Sequence, residues 1–119
     1  MEKIDLAIIG SGPAGIAAAI YAVRRALAVK VFESEAAGGQ TSKAVYVENY
    51  PGIEKLTGAE LMQKMARHLK GFGVEIEEGN GVSKIKKTGN EFELELDDVG
   101  KITARSVLLA TGTENRHLG

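Results

Sequence analysis

The sequence predicts an α/β fold: a mostly parallel sheet wound with helices, with a β-meander inserted before its last parallel strand. Three observations predict it. An apolar run over residues 4–9 breaks off at Gly10, Gly12 and Gly15, in G-x-G-x-x-G spacing. A segment of helical periodicity and a second short apolar run follow, and that run ends on the carboxylate of Glu33. Beyond residue 90, apolar and charged residues alternate strictly, the pattern of an antiparallel ribbon with one wet face.

Residues 4–9, broken only by Asp5, read as a parallel strand buried on both faces. Gly10 permits the tight strand-to-helix turn, Gly12 lets backbone approach a pyrophosphate, and Gly15 lets the helix sit close on its strand. Pro13 falls in the first helical turn, where its missing N–H costs nothing. Ile16, Ile20, Val23 and Leu27 form the stripe that faces the sheet. Ala17, Ala18 and Ala19 are small, strong helix formers, and Arg24 and Arg25 suit the negative end of the helix dipole. Residues 29–32 are the second strand. Glu33 stands 18 positions after Gly15, near the roughly 20 expected of a ribose-binding acid. Strand, glycines, helix and distal acid in this order make the parallel part Rossmann-like, of the FAD/NAD(P)-binding type, with the helix N-terminus facing phosphates. A carboxylate at Glu33 accepts ribose hydroxyls and repels a 2′-phosphate, which disfavours NADP and leaves NAD and FAD open.

Residues 34–52 carry no sustained period and are rich in Gly, Ser and Asn. A stretch of that length is functional or disordered, and its aromatic and β-branched residues argue for an ordered loop over a ligand. Thr57 as N-cap, Glu60 completing a capping box, and Leu56 against Leu61 as a hydrophobic staple start a second helix. Leu61, Met65, Leu69 and Phe72 make its apolar face, His68 is a half-buried neighbour, and Gly71 and Gly73 end it. Residues 74–78 form a third strand with Val74 and Ile76 on one face. Residues 83–86, a turn at Thr88, Gly89 and Asn90, and the alternating Phe92, Leu94 and Leu96 form a hairpin. Glu91, Glu93 and Glu95 are then its solvated face rather than an acid–base cluster. Residues 101–105 add a further ribbon strand after a turn at 97–100, and residues 106–110 read as a separate, fully buried strand. The ribbon stands where a classical NAD domain would place its third crossover helix.

At 119 residues the chain is one domain, small for a complete enzyme of dinucleotide chemistry. Its composition, 44% apolar and 26% charged, is that of an ordinary globular domain. A net charge of −1 gives no reason to expect nucleic acid or an anionic membrane as partner. No apolar run approaches a membrane span and no basic leader precedes the first strand, so the expected location is cytoplasmic. The absence of cysteine excludes a disulfide, a thiolate metal site and a redox dithiol within the chain. His68 and His117 sit in no ligand-like cluster, so neither a metal site nor a catalytic residue is expected.

Four motifs carry a resemblance: GSGPAG at residues 10–15, GGQ at 38–40, VENYPG at 47–52 and ATG at 110–112. With them the chain resembles the FAD domain of the low-molecular-weight thioredoxin reductases, of the pyridine nucleotide-disulphide oxidoreductase family, over essentially all of residues 1–119. The resemblance implies FAD as cofactor, with Ser11, Gly12, Pro13 and Ala14 at the pyrophosphate and Glu33 at the adenosine ribose. It implies Gly39, Gln40 and Asn49 beside the ribityl chain and isoalloxazine, Gln40 and Asn49 tuning the ring. The Val82 backbone would touch adenine, and Ala110, Thr111 and Gly112 would approach the nucleotide again. Family members continue into an NADPH-binding domain with a Cys-x-x-Cys pair and return with a last strand beside the flavin. The chain holds none of these, so the expectation is the N-terminal FAD-binding portion of an NADPH-dependent thioredoxin reductase-like flavoprotein, inactive alone, with the C-terminal portion as a partner. The implied order of the parallel sheet is third, second, first, then residues 106–110. Without the last strand, Val107, Leu108 and Leu109 become an uncovered apolar edge inviting self-association, and FAD is held more weakly. The alternatives are a stand-alone, non-catalytic dinucleotide-binding module and the FAD portion of a ferredoxin–NADP reductase-like enzyme; VENYPG favours the thioredoxin reductase side.

Overall fold

In the computed structural model, which describes residues 1–112, the parallel and alternating patterns meet in one sheet. The chain runs β1 (Glu2–Ile9), α1 (Pro13–Arg24), β2 (Val29–Glu33), a 3₁₀ turn (Gly39–Lys43), α2 (Gly58–Lys70), β3 (Ile76–Glu78), β4 (Val82–Thr88), β5 (Glu91–Leu96) and β6 (Lys101–Leu109). The strand order is β3-β2-β1-β6-β5-β4. The first four are parallel, in the expected order, and β4 and β5 are antiparallel additions beside β6.

Each face of the sheet has its own apolar cluster, because neighbouring residues of a strand point to opposite sides. Ile8 and Val31 point toward the helices and pack with Ile16 and Ala19 of α1 and Met62 and Leu69 of α2. Ala7 and Phe32 point the other way, into a cluster with Ile4, Leu94, Leu96, Ile102 and Ala104. The alternation in the ribbon therefore does what it predicts. Leu94 and Leu96 are buried, while Glu91 pairs with Lys3, and Glu93 and Glu95 lie 3.5 and 3.7 Å from Lys101 Nζ. At the other side of the sheet, Lys30 on β2 lies 2.9 Å from Glu2 and 3.4 Å from Glu77. The hydrogen bond to Glu2 is the chief cause that holds its ammonium above the usual lysine range.

Four sequence readings change in the structure. α1 stops at Arg24 and the chain turns through Ala26 at φ 61°, so Leu27 falls outside the stripe and is exposed. In α2 the buried face is wider than expected on one side: Met62 enters the core, whereas Phe72 lies past the helix end and is exposed. His68 is exposed rather than half-buried, with its ring 5.7 Å from that of Phe72. Residues 101–105 and 106–110 are not two strands, since β6 runs unbroken from Lys101 to Leu109. β5 pairs only with the Lys101 to Ala104 end of it. Beyond that point β6 pairs with β1 alone among the described residues, so the burial expected of residues 106–110 fails, with Leu108 38% and Leu109 66% exposed as the expectation of an apolar edge had it.

The start of α2 follows the expected chemistry with one difference. Thr57 Oγ1 accepts from Glu60 N–H at 3.1 Å, and the Glu60 carboxylate accepts from the same hydroxyl at 3.1 Å. The box thus closes on the Thr57 hydroxyl. Leu56 and Leu61, the expected staple, are both buried.

Candidate dinucleotide-binding site

The chain leaves β1 for β2 on one side, and β6 lies on the other, so the strand order reverses at β1. A crevice at the carboxyl ends of the strands at such a point is where open α/β sheets bind ligands. Two turns meet there. Gly10 N–H donates to Phe32 O at 2.9 Å, and Ala110 N–H donates to Ile9 O at 2.8 Å. Gly10 has φ +112°, and a Cβ on it would lie 2.0 Å from Ala110 O and 3.1 Å from Thr111 Cα. The glycine turn and the turn at Ala110, Thr111 and Gly112 are therefore packed backbone against backbone. A Cβ on Gly15 would lie 2.1 Å from Gly10 O, which fixes the close seat of α1 on β1.

Gly12 differs from these two. It N-caps α1 without a side-chain cap, Pro13 follows in the first turn, and a Cβ on Gly12 would meet nothing within 4 Å. The first-turn N–H groups and the positive end of the helix dipole thus lie beside a residue whose Cβ position is free of other described atoms, a fit for a pyrophosphate. Ala14, beside it, is exposed. Gly39, in the 3₁₀ turn, comes close from the other side: a Cβ there would be 3.6 Å from Gly12 Cα.

Ser11 faces inward. It is fully buried, and both its N–H (3.1 Å) and its Oγ–H (2.6 Å) donate to Glu33 Oε1. Glu33 Oε2 accepts from Glu35 N–H at 3.1 Å. The donors of Ser11 are thus directed at the acid at the end of β2 rather than into the crevice. The Ser11 carbonyl accepts from Gly38 N–H at 3.1 Å, which ties the 34–52 loop to the glycine turn.

The structure brings Gly10, Ser11, Gly12, Pro13, Ala14, Gly15, Glu33, Gly39, Ala110 and Thr111 together at the carboxyl ends of β1, β2 and β6, with Gly112 (φ 69°) next in line. Val82 begins β4, opposite Leu96 and packed against the second cluster, two residues after Asn80, whose N–H donates to Glu33 O at 3.1 Å. Gln40 lies exposed on the 3₁₀ turn, and Asn49 lies exposed on the loop closed by the Val47–Leu56 bridge. Two supports escaped the sequence reading. Gly58 lies so close to the 3₁₀ turn that a Cβ would be 1.9 Å from Thr41 O, and its N–H donates to Ala44 O at 3.0 Å. Near Val82, Gly81 N–H donates to Asp97 Oδ2 at 2.9 Å, while Asn80 and Asp98 exchange bonds of 3.2 and 3.1 Å. A glycine straight after an N-cap, where any good helix former would serve, was the available signal for the first; the turn residues Asn80-Gly81 and Asp97-Asp98 were the signal for the second.

Two open surface hollows of about 920 and 710 Å³ lie elsewhere, one against β3 and the other around Asp5, Leu27 and Arg105. Neither lining holds a residue of the glycine turn. Among the described residues no group of His, Cys, Asp and Glu is placed to hold a metal, and no helix is long and apolar enough to cross a membrane. His117 lies outside the described residues.

The family model of the pyridine nucleotide-disulphide oxidoreductases matches residues 4–119. The chain belongs to this family. Among pyridine nucleotide-disulphide oxidoreductases it is 42% identical over 115 residues to thioredoxin reductase of Mycoplasma genitalium, covering 97% of this chain and 36% of that protein. It is 40% identical over 119 residues to thioredoxin reductase of Bacillus subtilis, covering 99% and 37%. The fold matches the crystal structure of T. acidophilum thioredoxin reductase with a TM-score of 0.92 at 39% identity, over 100% of this chain and 38% of that one. It also matches a ferredoxin-flavin thioredoxin reductase from Clostridium acetobutylicum with a TM-score of 0.89 at 38% identity, over 99% and 40%. The chain thus spans two fifths or less of the length of these relatives. The Rossmann-like parallel sheet expected from the sequence is the fold shared with these oxidoreductases.

Proposed function

We propose that residues 1–119 are the FAD-binding domain of an NADPH-dependent, thioredoxin reductase-like flavin oxidoreductase. The observation that carries the reading is the open face of Gly12, set between two turns that are otherwise packed to backbone contact. Gly12, Pro13, Ala14 and the first turn of α1 would hold the pyrophosphate, and Glu33 the adenosine ribose. The Val82 backbone would border adenine, Gly39, Gln40 and Asn49 the ribityl chain and isoalloxazine, and Ala110, Thr111 and Gly112 the nucleotide from the β6 side. A bound flavin supplies hydride and electron transfer, while the chain's own residues bind it, orient it and shape its polarity. The chain has no cysteine, so reduction of a disulfide needs thiols from outside it. The loop sequence VENYPG supports the thioredoxin reductase reading over a ferredoxin–NADP reductase-like one.

Titration with FAD, NAD and NADP tests the cofactor. FAD should bind tightest and NADP weakest, because the Glu33 carboxylate repels a 2′-phosphate; a preference for NADP overturns the assignment. Glu33→Ala should weaken FAD binding by about 1–3 kcal/mol through lost hydrogen bonds to ribose.

We also propose that the half of β6 that pairs with no second strand among the described residues pairs with a second copy of the chain. Unpaired backbone groups along a strand edge favour such pairing in general, and the exposed Leu108 and Leu109 add apolar area. Sedimentation should show concentration-dependent dimers that Leu109→Lys suppresses without loss of fold, since this side chain already faces solvent. A monomer at all concentrations sinks the idea.

A further inference from the structure

The glycine motif assigns Ser11 no side-chain role, yet its hydroxyl is fully buried and makes the shortest hydrogen bond to Glu33, at 2.6 Å. A carboxylate has about four acceptor positions, two on each oxygen. Ser11 fills both on Oε1, through its N–H and its Oγ–H. Glu35 N–H takes one on Oε2. Among the described residues these bonds leave one position, on Oε2. From this count we propose that Ser11 is a positioning residue: its hydroxyl locks the Glu33 carboxylate so that Oε2 is presented to the ribose of the adenosine half. The inference rests on the reading of Glu33 as the ribose acceptor and assigns the group that orients it. The same hydroxyl lies 3.4 Å from Gly38 N–H, whose better partner is the Ser11 carbonyl at 3.1 Å. The lock therefore also sits where the 34–52 loop joins the glycine turn.

A general loosening of the turn would weaken every dinucleotide alike, whereas a misaligned Glu33 weakens only ligands that offer ribose hydroxyls. The test compares FAD with its analogue carrying 2′,3′-dideoxyadenosine, by fluorescence titration of the whole chain. The wild type should favour FAD by about tenfold, the size of one lost hydrogen bond to a charged group. In Ser11→Ala the ratio should fall to about threefold or less, and Ser11→Cys, which keeps a weak donor, should fall between. If Ser11→Ala does not fold, the Cys variant carries the comparison. In Glu33→Ala the ratio should vanish, and adding Ser11→Ala to it should change nothing further. A Ser11→Ala ratio equal to wild type, with Glu33→Ala still abolishing it, overturns the positioning role and leaves Glu33 as ribose acceptor. A ratio unchanged even in Glu33→Ala overturns both.

Discussion

Gly10→Ala should destabilise the domain by about 3 kcal/mol or more and abolish FAD binding with it. The residue sits at φ +112°, a conformation that costs any residue with a Cβ about 1–2 kcal/mol by itself. The larger part is overlap. The new Cβ would lie 2.0 Å from Ala110 O and 2.6 Å from Ala110 C, and neither is the end of a flexible side chain. Hydrogen bonds hold both turns in place, from Gly10 N–H to Phe32 O and from Ala110 N–H to Ile9 O. Relief therefore requires parting β1 from β6, the pair that forms the middle of the sheet. Denaturant unfolding measures the loss, and a change below about 1 kcal/mol would show that the two turns are not in contact.

Gly58→Ala should also destabilise, by about 2–3 kcal/mol, although local propensity points the other way. Alanine is favoured over glycine in a helix by about 1 kcal/mol, so an isolated α2 would gain from the change. In the folded chain the added Cβ would be 1.9 Å from Thr41 O and 2.8 Å from Ala44 O. Backbone overlap of this kind outweighs the propensity gain, and the strain falls on the 3₁₀ turn that carries Gly39 and Gln40. A far-ultraviolet melt alone would report the stability loss. Proteolysis confined to the 39–43 turn would show that the turn has been pushed off α2. An increase in stability would mean that the turn does not lie on this helix.

The parts of the fold written in the sequence are those ruled by short-range spacing. Gly10, Gly12 and Gly15, the helix stripe at Ile16, Ile20 and Val23, the Thr57–Glu60 box and the alternation from Phe92 to Leu96 each follow from neighbours within a few residues. The parts that escaped depend on distant chain. Whether β6 is one strand or two, and whether Leu109 is covered, depends on where β5 stops opposite Ala104. Leu27 left its stripe because Ala26 takes a left-handed conformation that no glycine advertises. The candidate site divides in the same way. Glu33 was legible from its distance to Gly15, but the orientation of its carboxylate is set by Ser11 across 22 residues of chain. The motif leaves that position free, so nothing in its spacing marks the hydroxyl.

The central claim, that the Gly12 face is a pyrophosphate seat, is tested most directly by Gly12→Ala. Its backbone, at φ −72° and ψ −173°, is open to alanine, and the new methyl meets no protein atom within 4 Å. Loss of the glycine N-cap and the lower entropy of the unfolded chain roughly offset each other, so stability should change by less than about 1 kcal/mol. A methyl between the phosphates and the first N–H groups of α1 should nevertheless weaken FAD binding by at least about tenfold, the equivalent of about 1.4 kcal/mol. Unfolding and FAD titration are measured on the same preparation of wild type and variant. An unchanged unfolding midpoint with strongly weakened FAD binding is the predicted result. FAD held as tightly by Gly12→Ala as by the wild type would contradict the account, and so would a wild-type chain that binds no FAD.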